Sequence, residues 1–333
     1  MIKETTIVLG LAYGDEGKGK ITLAHAKSGK YNRTLKFNGS NNAGHSIYHN
    51  DKLLITHSIP TGAILGIKSI IGPGCVVNEK SFFNELNELS KTIPDISSNV
   101  FIAHNAHIVQ DKHIEEEQNE NKIGTTRKGI GPAYRDKYAR IGMRAEAIES
   151  FRPFLIDAYE EFHSKENNLS LLAEGAQAIG LDIDWTPDYP FCTSSHCGIG
   201  SVINNGVPYK SINNVEGVIK AYTTYVGSKD FQDPNDPMLD KIGDLGKEYG
   251  ATTGRRRKVN YLDLDMIEKS INLNSVNILH VNKMDILQEL NCWKMFNSGR
   301  LIDYQSEESF KLEINHKFPT VKIKYYYSPL SEI

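Results

Sequence analysis

Thr6-Ile7-Val8-Leu9, followed by Gly10-Leu11-Ala12-Tyr13-Gly14-Asp15-Glu16-Gly17-Lys18-Gly19-Lys20, joins an apolar run to a glycine-rich turn. The apolar run predicts a buried strand, and Ile21–Ala26 predicts the start of a helix. A strand, a glycine-rich turn and a helix N-terminus make an anion cradle, because free backbone N–H groups and the helix dipole converge on one point. Gly14, Gly17 and Gly19 let the backbone approach a phosphate, and Lys18 can lie along its oxygens. A Walker A loop carries Ser or Thr directly after its Gly-Lys pair to hold magnesium. Gly19 stands there instead. The carboxylate of Asp15 would repel phosphate unless it binds a metal or takes a proton from a substrate. The loop therefore points to phosphate chemistry.

Further strand-like runs occur at 34–37, 53–57, 67–71, 100–104, 217–222, 276–281 and 321–326. Helix-like stretches lie between several of them, at 78–91, 145–165 and 263–273. Strands alternating with helices predict a P-loop-related α/β fold, one domain over residues 1–333, with a mostly parallel central sheet flanked by helices. Ligands then sit beyond the C-terminal strand ends, where the first loop already lies. A hydrophobic content of 39% supports a core of that size. The net charge of −3 gives no global attraction to nucleic acid or anionic membrane. The four cysteines have poor zinc spacing, so reduced thiols are expected. No run approaches membrane-spanning length, and the chain enters a core strand at once, which predicts a cytoplasmic protein. The acidic stretch 115–120 is expected to be a solvated helix face or loop.

Other segments carry possible chemistry. Asn38-Gly39-Ser40-Asn41-Asn42-Ala43-Gly44-His45 is rich in small and amide residues and presents His45; alone it is compatible with a simple turn. Gly124-Thr125-Thr126-Arg127-Lys128-Gly129 suits a phosphomonoester. Glu174-Gly175-Ala176-Gln177 can aim an amide at a ligand. Ala251-Thr252-Thr253-Gly254-Arg255-Arg256-Arg257-Lys258 is a cationic cluster in a chain without basic excess, which favours a dicarboxylate clamp over a nucleic-acid patch. Asn282-Lys283-Met284-Asp285 follows a strand, as the guanine-reading tetrad of GTP-binding folds does.

Taken in order, these segments resemble the adenylosuccinate synthetases. The resemblance rests on Gly14–Lys20, Asn42–His45, Ile130-Gly131-Pro132-Ala133-Tyr134 with Asp136-Lys137, Glu174–Gln177, Thr193-Ser194-Ser195 and 250–257. It implies a ligase that joins L-aspartate to C6 of a 6-oxopurine nucleotide, driven by a nucleoside triphosphate and Mg2+ through a 6-phosphoryl intermediate. It makes Asp15 the base at N1 and, with Gly44, a magnesium ligand. His45 and Lys18 would stabilise the transferring phosphoryl, and Gln177 would meet the purine. Asn42, Thr126, Thr193 and Arg140 would hold the 5′-phosphate, with Arg140 supplied by the partner of a homodimer. Thr252, Thr253, Arg255 and Arg257 would bind aspartate. Gly17, Lys18, Gly19, Asn282, Lys283, Asp285 and Pro329 would bind the triphosphate. No nucleic-acid or membrane partner is implied.

The departures set the finer expectations. The chain is short, like the bacteriophage branch that makes 2-amino-2′-deoxyadenylosuccinate from dGMP, which would place it in a host cytoplasm. Ser40-Asn41 stands where the common enzymes have Gly-His, and Ser40 can accept a hydrogen bond from a 2-amino group. Tyr225 stands where they have arginine. The C-terminal guanine clamp is reduced to Tyr327-Ser328-Pro329, which favours ATP over GTP. The expected reaction is therefore dGMP with ATP. IMP with GTP is the alternative, and a regulatory GTPase the alternative from another class.

Overall fold

The computed structural model describes residues 1–50, 52–118, 120, 122–250 and 254–328. Nine strands form the central sheet: β1 (Ile2–Gly10), β2 (Arg33–Lys36), β3 (Lys68–Ile71), β4 (Val100–Ala103), β5 (Leu155–Ile156), β6 (Leu169–Glu174), β7 (Ile212–Lys220), β8 (Ile278–Asn282) and β9 (Lys322–Tyr325). Their order is β9-β8-β7-β1-β6-β2-β3-β4-β5, and every neighbouring pair is parallel. β1 is the pivot. Its side chains alternate between two cores: Ile7 and Leu9 join the larger one, while Val8 packs with Leu172, Val218 and helix residues Ile21 and Ala26. Burial on both faces is why the run is continuously apolar.

The C-terminal ends of β8, β7, β1, β6 and β2 lie side by side. They deliver Asn282–Asp285, Lys220, the Gly10–Lys18 loop, Glu174–Gln177 and the 37–45 loop to one edge of the sheet. Helix α1 (Lys18–Lys27) begins directly from the loop after β1. Outside the central sheet, His45–His49 and Lys52–Thr56 form an antiparallel hairpin that flanks α1. A second sheet joins Tyr222–Tyr225, Lys258–Asp263, Lys294–Asn297 and Arg300–Asp303.

The expected helices at 78–91 and 263–273 form as Glu79–Ser90 and Leu264–Asn274, capped by the side chains of Asn78 and Asp263. The expected helix at 145–165 does not. Two 3-10 turns, the short β5 and a helix at Ala158–His163 replace it. Pro153 lacks an amide donor and restricts the residue before it, and Asp157 caps a new helix rather than continuing an old one. The run at 53–57 is a strand, but in the hairpin rather than the central sheet. The acidic stretch is not wholly solvated either: Glu117 is buried and accepts the Gly129 amide at 2.6 Å. Among the described residues no helix is long and apolar enough to cross a membrane.

Candidate active site

The loop after β1 is closed by its own glutamate. Glu16 Oε1 accepts the amides of Ala12 and Gly14 at 3.1 and 2.9 Å, and Oε2 takes the buried Lys18 Nζ at 2.8 Å. Gly17 turns the chain into α1 with φ 95°, and no side chain caps the helix. The Lys20 amide bonds Gly17 O at 3.1 Å, and the Lys18 and Gly19 amides before it are the ones offered to an anion. Gly19 explains the missing Walker A hydroxyl. A Cβ there would stand 2.9 Å from His45 Cβ and 3.1 Å from Ile47, so the hairpin that carries His45 occupies the space a Ser or Thr would need.

His45 lies on that hairpin with its Nδ1 hydrogen-bonded to Glu174, at the end of β6; Thr61 N donates to the other Glu174 oxygen at 2.9 Å. Burial disfavours the charged carboxylate, yet the His45 ring and Lys36 hold its pKa down, at about 2. Burial also pulls the His45 pKa down. The hydrogen bond to Glu174 places a proton on Nδ1 and so orients Nε2 toward the cleft. Gln177 follows in the left-handed region, φ 57°, behind an Ala176 peptide clamped by Asn38 through bonds of 3.1 and 2.8 Å. Its Oε1 is buried without a protein partner.

Of the arginines, Arg256 turns outward to Asp240 and Asp244, whereas Arg255 and Arg257 line the cleft. Arg257 Nε lies 2.8 Å from Asp15 Oδ2, and its NH1 lies 2.6 Å from Glu248 Oε2. The Asp15 contact is an ion pair without hydrogen-bond alignment, since Nε has no directed partner. In the tetrad that begins at the last residue of β8, Asn282 lines the cleft. Its Nδ2 donates to Glu16 O at 2.7 Å and braces the phosphate loop. Lys283 Nζ donates to Gly246 O at 2.9 Å, and Asp285 Oδ1 is buried with no partner among the described residues.

One cleft of about 1340 Å³ brings together Asp15, Gly17, Lys18, Gly19, Asn42, Gly44, His45, Thr126, Gln177, Thr193, Arg255, Arg257, Asn282, Lys283 and Asp285. That volume exceeds a single-ligand pocket, which typically holds about 300–1,000 Å³, and suits several substrates at once. Two expected residues are not on its wall. Ser40 is buried behind it, with its hydroxyl donating to Asn41 Oδ1 at 3.3 Å. Arg140 is exposed, in the left-handed region, beside exposed Tyr138 and Ile141. Thr252, Thr253 and Pro329 lie outside the described residues. Site reasoning from sequence missed Glu16 and Lys220 on the wall and Glu248 behind it, and gave Glu174 no role of its own. Lys220 and Glu174 carry a signal, a charge at the end of a buried strand, whereas Glu16 and Glu248 lie outside the strands and carry none.

The sequence matches the family model described as Adenylosuccinate synthetase over residues 7–152 and 145–317. It is 36% identical over 352 residues to the adenylosuccinate synthetase of Borrelia turicatae, covering 89% of this chain and 81% of the relative. With that of Picrophilus torridus it shares 35% over 353 residues, covering 93% and 83%. The fully ligated adenylosuccinate synthetase from Plasmodium falciparum superposes with a TM-score of 0.86 at 27% identity, covering 97% of each chain. The cyanophage S-2L succinoaminodeoxyadenylate synthetase bound to dGMP and dATP shares the fold, with a TM-score of 0.78 at 20% identity, covering 99% and 94%. The chain belongs to the adenylosuccinate synthetase family, carbon–nitrogen ligases that condense aspartate with a purine nucleotide.

Proposed function

We propose that the chain phosphorylates O6 of a 6-oxopurine nucleoside 5′-monophosphate and then joins L-aspartate to C6, with IMP as acceptor and GTP as donor. The observation that carries the reaction is the gathering of Asp15, Lys18 and the His45–Glu174 pair in one cleft with Arg257. Asp15 takes the N1 proton, which makes O6 nucleophilic. Lys18 and the first-turn amides of α1 stabilise charge on the moving phosphoryl, since such transfer relies on positioning and electrostatics. His45, oriented by Glu174, presents Nε2 to the same group. Departure of the phosphoryl oxygen from C6 then accompanies attack by the aspartate amine. Arg255 and Arg257, with Thr252 and Thr253, hold that amino acid's carboxylates, while Asn42, Thr126 and Thr193 hold the 5′-phosphate and Gln177 meets the base.

Asp15 and the Gly44 carbonyl offer the hard oxygen donors that Mg2+ prefers, and both belong to the cleft wall. They would hold the ion, which supplies charge neutralisation at the phosphates. GTP is favoured by the orphaned Asp285 Oδ1, because guanine offers N1–H and N2–H donors to such an acceptor and adenine offers none in that arrangement. The phage-like reading, dGMP with ATP, keeps one observation: Ser40 donates its single proton to Asn41 and so retains accepting lone pairs, two positions before the cleft-lining Asn42. Initial rates with IMP and dGMP, each paired with GTP and ATP, test both readings. Faster turnover of IMP with GTP is expected; dGMP turnover clearly exceeding IMP turnover would overturn the acceptor assignment.

The working unit in this proposal is a homodimer in which Arg140 serves the partner's cleft. Exposed Tyr138, Ile141 and Met143 around Arg140 support it, as an apolar patch of the kind that interfaces cover. Mixing an Arg140→Ala variant with an Asp15→Ala variant should restore activity, because hybrid dimers contain one intact site. No recovery on mixing would count against the shared site.

A further inference from the structure

Behind the Asp15–Arg257 contact stands a second, deeper set of charges that no step above uses. Glu248 is buried and takes three donors. Tyr222 OH and Lys220 Nζ reach its Oε1 at 2.5 and 3.1 Å, and Arg257 NH1 reaches its Oε2 at 2.6 Å. The backbone repeats the link, since Arg257 N donates to Glu248 O at 2.9 Å. Lys220 is itself buried, on the cleft wall, and also donates to Thr224 Oγ1 at 2.5 Å. Cation and anion thus alternate along the series Lys220, Glu248, Arg257, Asp15, with Glu248 the member behind the cleft wall. A buried carboxylate with this many charged and hydroxyl donors is locked in place, and so is the guanidinium nitrogen that it holds.

We propose that Glu248, backed by Lys220 and Tyr222, is a positioning residue for the amino-acid subsite, holding Arg257 in the cleft wall so that Asp15 and the incoming dicarboxylate do not compete for it. The inference rests on the reading of Arg257 as the carboxylate clamp. Arg257 meets Asp15 through an unaligned ion pair and Glu248 through a directed hydrogen bond. The first contact is easily exchanged and the second is not. Without the Glu248 charge, two cations would face the single anion Asp15. Arg257 would then close on Asp15 in a two-point pair that hides the clamp and the base in each other. With Glu248 present the guanidinium is shared, so a substrate carboxylate can replace Asp15 at Nε while NH1 stays anchored.

The test is steady-state kinetics on the full chain with aspartate and nucleotide varied separately. Glu248→Gln keeps the shape and removes the charge. It should raise the KM for aspartate about tenfold, while the nucleotide KM values stay within about twofold. Tyr222→Phe removes one donor without changing charge, and it covers the case in which Glu248→Gln does not fold. It should raise the aspartate KM by about twofold to threefold, with the melting temperature kept. Arg257→Gln is the control for the reading beneath. If it leaves the aspartate KM unchanged, the clamp assignment is wrong. If it raises that KM while folded Glu248→Gln and Tyr222→Phe leave it alone, or raise every KM equally, the positioning role is overturned and the clamp survives.

Discussion

Two sets of residues in the cleft, one prearranged around the phosphate loop and one that reads rings on either side of it, treat their buried polar groups in opposite ways. In the prearranged set each chemical group already has a protein partner: Lys18 on Glu16, His45 on Glu174, and Arg257 between Asp15 and Glu248. In the ring-reading set, which flanks the phosphate loop on both sides, Gln177 Oε1 and Asp285 Oδ1 are buried with no partner among the described residues. An unmade buried hydrogen bond costs about 1–3 kcal/mol, so leaving two is a standing expense of the free protein. The difference separates two tasks. Groups that stabilise moving charge gain from being set before the substrate arrives, because no reorganisation then accompanies the reaction. Groups that recognise a ring gain from being completed only by the right ring, because the wrong one leaves them unpaired.

The hardest test of the prearranged set is Asp15→Ala. Its removal should lower kcat by about 10³-fold, the scale of a lost general base, with the melting temperature little changed because Asp15 is exposed to the cleft. Near-normal turnover would remove Asp15 from the mechanism. Next is Glu174→Gln, which leaves His45 in place but unable to rely on a carboxylate at Nδ1. A fall in kcat on the order of 10²-fold is expected, the lower range for acid–base groups. Unchanged turnover would make the pair a packing feature of β6 and the hairpin.

Much of the prearranged set was legible because it sits where a regular element stops. The apolar run of β1 and the glycines after it announce strand, turn and helix, and Asn282–Asp285 follows β8 directly. What was not legible depends on contacts between distant segments. Glu248 looks like an ordinary helix-flanking glutamate until the chain folds Lys220, Tyr222 and Arg257 around it. The brace that Asn282 gives the phosphate loop has no sign in the sequence, because it forms only where Gly17 approaches and Glu16 O takes its amide. β6 is legible only as an apolar run that ends at Glu174, because Ser170 shortens it, although Leu171, Leu172 and Ala173 are fully buried beside β1. Periodicity reports which residues face inward. It does not report which inward charges find one another.

For the ring-reading set, Asp285→Asn sharpens the comparison. The amide keeps one acceptor and adds donors, so the match to guanine N1–H and N2–H is broken while the shape is kept. The KM for GTP should rise about 10- to 100-fold, as expected where a site leaves polar groups unpaired, and the KM for the acceptor nucleotide should not move. An unchanged GTP value, with ATP equally effective, would return the donor to ATP and leave Asp285 Oδ1 without a ligand to complete it.

The smallest effect concerns the underside of the prearranged set, where self-pairing continues without contributing to chemistry. Glu216 Oε2 lies 2.7 Å from His25 Nε2, on α1, and 2.7 Å from His280 Nε2, on β8; His280 Nδ1 meets Tyr326 OH at 2.9 Å. Burial opposes the Glu216 charge, but the two imidazoles outweigh it and hold the pKa down at about 2. A depressed carboxylate contributes stability that is complete above its unfolded value, near 4.3, and is lost as pH falls toward the folded one. Between pH 5.5 and 3.5 that loss amounts to about 1 kcal/mol. Glu216→Gln lacks the titration, so urea unfolding of the variant at those two pH values should differ by about 1 kcal/mol less than in the wild type. Equal pH dependence in both chains would mean that Glu216 is not held as an anion beneath α1, and that the self-paired character of this set stops at the cleft wall.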